Sequence, residues 1–125
     1  MDHCRKIVCT ALALASLMGA AYAGESAPSG REVFERRCRI CHGGTARPEF
    51  QIGPSLAGII GKKAATQDSA VHSRSMIDSG IVWDRDSLRR FLADPSRAIP
   101  GTLMAADVTN PAELESLLDY LESLR

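Results

Sequence analysis

The strongest periodic signal lies near the end of the chain, where Leu114, Leu117, Leu118, Leu121 and Leu124 recur at helical spacing. That spacing gathers side chains on one helical face. Asn110 as N-cap, Pro111 at the first helical position and Glu113 at the third predict where this helix begins. A second helix is predicted after Asp84, with Leu88, Phe91 and Leu92 on one face and Pro95 closing it. A third is predicted over residues 29–38, with Ser29 and Glu32 in capping-box spacing and Val33 and Phe34 pointing inward. Only a short helix, near residues 74–78, interrupts the weakly patterned stretch 62–80, and residues 43–61 are a loop rich in Gly and Pro. No internal repeat or low-complexity segment is present, and the elements this pattern predicts are helices, those of a small all-α domain.

The first residues change the picture of where that domain works. Arg5 and Lys6 precede an apolar run over residues 7–21, and Ala21-Tyr22-Ala23 fits an A-x-A cleavage site. This predicts a cleaved secretory signal at 1–23 and a single mature domain at 24–125. The run is shorter than the roughly 20 residues needed to span a bilayer, and no later stretch is long enough, so an integral membrane protein is not expected. An uncleaved anchor is the alternative. Export carries the chain to an oxidising compartment, the periplasm in a bacterium. With 15 Lys and Arg against 15 Asp and Glu, charge gives no reason to expect nucleic acid or an anionic membrane as partner.

Of the four cysteines, Cys4 and Cys9 leave with the signal. Cys38 and Cys41 remain, in "RRCRICHGG", as C-x-x-C-H with His42. A zinc ribbon needs a second pair of ligands, and beyond the leader only His72 remains as another His or Cys. A thioredoxin-like dithiol needs a preceding strand, and the residues before Cys38 carry a helical pattern. The run instead has the signature of c-type haem attachment. Two thiols at this spacing can form thioethers to two vinyl groups on one edge of a porphyrin, while His42 turns its imidazole to the iron. Met76, Met104 and His72 are the candidates for the second axial position. Met104 is favoured because "IPGTLM" is an extended loop held by Pro100 and Gly101, whereas Met76 in a short helical stretch suits core filling.

Taken in order, "GREVFERRCRICH", "GPSLAGIIGKKA", "SGIVWDRDSLRRFLADP", "IPGTLM" and "LESLLDYL" resemble the class I c-type cytochromes, of the mitochondrial cytochrome c and bacterial cytochrome c2 group. The resemblance runs from Gly30 to Leu124. It implies a small cytochrome c fold in which the first and last helices cross at Gly30, beside Phe34 and Tyr120, around one covalent haem c. It implies His42 and Met104 as axial ligands, with the Pro54 carbonyl accepting a hydrogen bond from His42. It also implies Trp83 on a haem propionate, Thr102 near that propionate or the Met loop, and Lys62 where relatives often carry an arginine.

The chain departs from mitochondrial relatives at His72, Phe91 and Met76, which stand in place of a propionate-bonding tyrosine, a tyrosine reaching the axial sulfur, and an asparagine beside a buried water. Losing the last two polar partners together can be near neutral and predicts a drier distal pocket. At the lysine ring of those relatives stand Glu32, Gln51, Ser96 and Leu103, with Arg37 and Arg97 left, which disfavours a strongly acidic partner. The expected function is a monomeric periplasmic one-electron carrier, shuttling between a redox donor and acceptor and binding no small-molecule substrate. It is not expected to be an enzyme. The alternative is a dedicated cytochrome c subunit of a periplasmic dehydrogenase or oxidase complex.

Overall fold

Helix α1 (Gly30–Arg37) starts where its capping chemistry dictates: the Ser29 hydroxyl accepts the Glu32 N–H at 3.3 Å, and the Glu32 carboxylate accepts the Ser29 N–H at 2.7 Å. The computed structural model describes residues 26–43, 52–66 and 71–124; the expected signal at 1–23, with Cys4 and Cys9, and Gln51 lie outside the described residues. The first helix was expected to include Cys38. Instead Cys38, at φ −111° and ψ −38°, is the cap that closes α1 and opens a separate turn, α2 (Arg39–His42).

Ser73 caps the short α3 (Arg74–Asp78), and Asp84 caps α4 (Arg85–Ala93) through a reciprocal box with Ser87. Pro95 follows the end of α4 but also begins α5 (Pro95–Ala98), because a proline has no N–H to lose at a first helical position. The Asp94 side chain accepts the Arg97 N–H at 3.0 Å and so caps this extra turn. Finally, α6 (Pro111–Ser123) is capped by Asn110, which accepts from the N–H groups of Ala112 and Glu113. Leu124 lies past the helix end and is only partly buried.

The core forms where α1 crosses α6. Val33, Phe34, Leu114, Leu117, Leu118 and Leu121 are all buried there. A Cβ on Gly30 would stand 1.8 Å from the Ser116 carbonyl oxygen, so only glycine permits this approach. Phe34 and Tyr120 meet beside it with ring centroids 5.4 Å apart. Helix α4 adds buried Leu88, Phe91 and Leu92. On the outside, Arg85 reaches Glu115, Asp119 and Glu122 at 2.8–2.9 Å, and Arg89 also pairs with Glu115. These exposed pairs are individually weak, but they tie α4 to α6 as a network.

One feature has no counterpart in the sequence pattern. The Gly61 and Trp83 N–H groups donate to Trp83 and Lys62 carbonyls, and Ala64 N–H to Ile81, at 2.7–2.9 Å. Around the antiparallel bridge of Lys63 with Val82, this short pairing turns Trp83 into the interior, where it is 6% exposed. The fold remains all-α. No helix among the described residues is long and apolar enough to cross a membrane.

Candidate functional site

The α2 turn bends the chain so that both thiols and the imidazole face one space. Cys41 and His42 each donate a backbone N–H to the Cys38 carbonyl, at 3.1 and 2.8 Å. Cys38 is buried, Cys41 is partly exposed, and the two are free thiols. Burial pushes the Cys38 thiol up to about 11, against the opposing effect of Arg37. A thiol held neutral in this way is a poor nucleophile, which argues against a redox dithiol.

The His42 ring is fixed on its outer side. Its Nδ1–H donates to the Pro54 carbonyl oxygen at 2.8 Å, an acceptor with no proton of its own, so in the neutral ring Nε2 is the nitrogen that carries the lone pair. Gly53 packs against the same ring: a Cβ there would come within 2.5 Å of Cε1 and 3.0 Å of Nε2. The Gly53 N–H donates to the Cys41 carbonyl at 2.9 Å, binding this clamp to the thiol turn. Such an outer hydrogen bond sets the tautomer and orientation of a metal-binding histidine.

Cys38, Cys41 and His42 open onto a cavity of about 710 Å³. Its apolar wall includes Leu56, Ile59, Trp83, Leu88, Phe91 and Leu92. The Trp83 and Phe91 rings meet at 5.2 Å between centroids. Pro54, His72, Thr102 and Met104 also line the space, so Cys38, Cys41, His42, Pro54, His72, Trp83, Thr102 and Met104 are brought together here. Met104 is carried there by a loop braced at both ends: Thr102 N–H donates to the Ile99 carbonyl at 3.0 Å and Val108 N–H to Leu92 at 2.8 Å. The Thr102 hydroxyl accepts the Met104 N–H at 3.3 Å, which orders the loop around the thioether.

Two features escaped the sequence. Lys62 turns away, donating to the Ala57 carbonyl at 3.3 Å, and the lysine on the cavity wall is Lys63. Residues 62 and 63 exchange places because their side chains alternate across the pairing with residues 81–83. Met76, read both as core filling and as part of the distal pocket, does both: it packs against the core and lines the cavity. The Gly53 contact with His42 gave no local signal beyond the Gly-Pro dipeptide.

The volume falls within the roughly 300–1,000 Å³ of ligand and cofactor pockets. Two thiols, a clamped imidazole, a methionine on the same cavity and an apolar wall form a donor set that fits haem. The cytochrome c family profile matches residues 27–125. This chain belongs to the cytochrome c family.

Its relatives include bacterial cytochromes c2 and cytochromes c of the mitochondrial type. It is 39% identical over 89 residues to cytochrome c2 iso-2 of Magnetospirillum molischianum, across 70% of this chain and 91% of the relative. It is 36% identical over 99 residues to cytochrome c of Tetrahymena pyriformis, across 78% and 88%. Among solved structures, cytochrome cH from Methylobacterium extorquens superposes with a TM-score of 0.64 at 31% identity, covering 78% of this chain and 98% of that one. Cytochromes c are electron-transfer proteins rather than enzymes, and membership of the family implies a covalent haem c.

Proposed function

We propose that this chain is a periplasmic one-electron carrier that holds haem c through thioethers from Cys38 and Cys41, with His42 and Met104 as axial ligands. The observation that carries the reading is the His42 clamp: an imidazole locked by Pro54 and Gly53 at the wall of an apolar cavity that Met104 also lines. Haem bound there supplies a one-electron iron couple, with no bond made or broken in a substrate.

The protein's part is to hold, orient and dry that group. Pro54 keeps the Nδ1 proton on the outer side of His42 and strengthens Nε2 as a donor. Leu88, Phe91, Leu92 and Trp83 exclude water, which favours the less charged, reduced state of a buried iron. Trp83, His72 and Thr102 are the proposed partners of the haem's polar edge; an indole N–H inside a protein normally seeks an acceptor. Residues 1–23 act as a cleaved signal, and the mature domain starts at Gly24.

Absorption spectra of the purified oxidised and reduced protein, before and after acid-acetone extraction, test the reading. Expected are a c-type haem that stays with the polypeptide and a reduced form that does not promptly bind carbon monoxide. Haem lost to the solvent would remove the thioether assignment, and prompt carbon monoxide binding would remove the second axial ligand.

A further inference from the structure

The loop that carries Met104 starts in a tight turn, Ile99-Pro100-Gly101-Thr102. The Thr102 N–H closes it by donating to the Ile99 carbonyl at 3.0 Å, with Pro100 in the second place and Gly101, at φ +87°, in the third. That is the pattern of a type II turn, which needs a positive φ at its third residue. The Ile99 N–H donates to the Pro95 carbonyl at 2.9 Å and so fixes the turn to α5. On its far side the Thr102 hydroxyl accepts the Met104 N–H at 3.3 Å. A displacement of Gly101 is therefore passed on to Met104.

The residue that backs Gly101 is Ser75 on α3. A Cβ on Gly101 would stand 3.1 Å from the Ser75 hydroxyl oxygen and 3.5 Å from its Cβ, so the serine side chain occupies the space on that side of the glycine. The Ser75 hydroxyl is itself placed, 3.1 Å from the Ser73 hydroxyl, and Ser73 caps α3 by accepting the Met76 N–H at 3.1 Å. Among the described residues α3 packs against no other helix and contains no fully buried residue. It reaches inward through Met76, which lies on the core and the cavity, and through Ser75, which lies on the turn.

Resting on the reading of Met104 as axial ligand, we propose that Ser75 is a positioning residue for that ligand: from α3 it backs the turn at Gly101 and holds the Met104 loop against the cavity, closing the sixth position to outside ligands. A larger side chain at 75 displaces the turn, because a turn tied to α5 and closed by its own hydrogen bond has no rotamer to change. Close packing passes such a displacement on instead of absorbing it.

Imidazole added to purified ferric holoprotein competes with Met104, and its apparent affinity measures how firmly the loop holds that residue in place. Ser75→Leu should raise this affinity at least about tenfold, as an overpacked contact would. It should also lower the reduction potential and weaken the near-infrared band of methionine bound to ferric haem. Ile77→Phe, an enlargement on the half-exposed side of the same helix, should do none of this. Gly101→Ala should raise imidazole affinity through its Cβ and through the cost of a positive φ to alanine. Adding Ser75→Ala to it should reverse part of the rise, because the hydroxyl that the new Cβ meets is gone.

Wild-type imidazole affinity in Ser75→Leu overturns the proposal. An equal rise in Ile77→Phe does so too, since any damage to α3 would then suffice. Strictly additive effects of Gly101→Ala and Ser75→Ala would show that the two positions are not coupled and would also overturn it. Should Ser75→Leu fail to fold by circular dichroism, the Gly101→Ala pair still decides. Failure of the axial reading would look different: Met104→Ala would keep the near-infrared band of the wild type.

Discussion

The α1–α6 crossing and the cavity wall are built on opposite principles. The crossing is closed by the chain's own atoms: Gly30 lies against Ser116, Phe34 against Tyr120, and Leu117, Leu118 and Leu121 are fully buried. The cavity wall is largely loop, from Ile52 to Ala65 and from Thr102 to Ala106, arranged around about 710 Å³ that side chains do not fill. One region needs only packing to be stable. The other needs something for its apolar side chains to pack on.

The largest expected effect therefore comes from denying the wall its filling. Without that filling the apolar side chains of the wall lie against water, and the burial that should hold this half of the domain together is lost. Cys38→Ala combined with Cys41→Ala should yield protein without haem and without a cooperative thermal transition by circular dichroism, while some α1 and α6 helicity persists. A cooperative transition close to that of the wild type would mean the wall stands alone.

The next effect breaks the comparison from the other side. Gly30→Ala forces a Cβ onto the Ser116 backbone, which has no flexible end to move aside. The helices must separate, and denaturant titration of the holoprotein should show a loss of about 3 kcal/mol, the upper end for overpacking. The haem spectrum should be little changed, because the damage lies at the crossing.

The same contrast governs what could be read in the sequence. The two helices were legible because their determinants are local: Ser29 with Glu32, Asn110 with Pro111, and a leucine stripe at helical spacing; that they cross at Gly30 was implied only by the family resemblance. The thiols and His42 were legible for the same reason, since five consecutive residues carry the motif. The rest of the site depends on residues far apart in the chain. Nothing local distinguishes Lys62 from Lys63, and the pairing with residues 81–83 decides which one faces the cavity. Pro95 was expected to end a helix and also begins one, because proline suits both positions and only Asp94 reaching Arg97 selects the second. Arg36 meets Glu113 across 77 residues, which no spacing rule anticipates.

The smallest expected effect concerns the outer surface that ties α4 to α6. Hydrogen bonds from Arg89 and Arg85 hold the Glu115 carboxyl down to about 2 from its ordinary 4.5. The unfolded chain binds this proton more readily than the folded one, so the stabilisation is complete above pH 4.5 and is lost as pH falls toward 2. Glu115→Gln should flatten that part of the acid stability profile slightly, as suits an exposed pair. A slope change at neutral pH instead would assign the effect to another group.

The central claim is that the loop carrying Met104, rather than Met76 on α3, completes the iron's coordination opposite His42. Both thioethers line the cavity, so the decisive measurement is the weak near-infrared absorption of methionine bound to ferric haem, recorded for Met104→Ala and Met76→Ala. The account predicts that the band disappears in Met104→Ala, with a lower reduction potential, and remains in Met76→Ala. A band that survives loss of Met104 and vanishes with Met76 would contradict it.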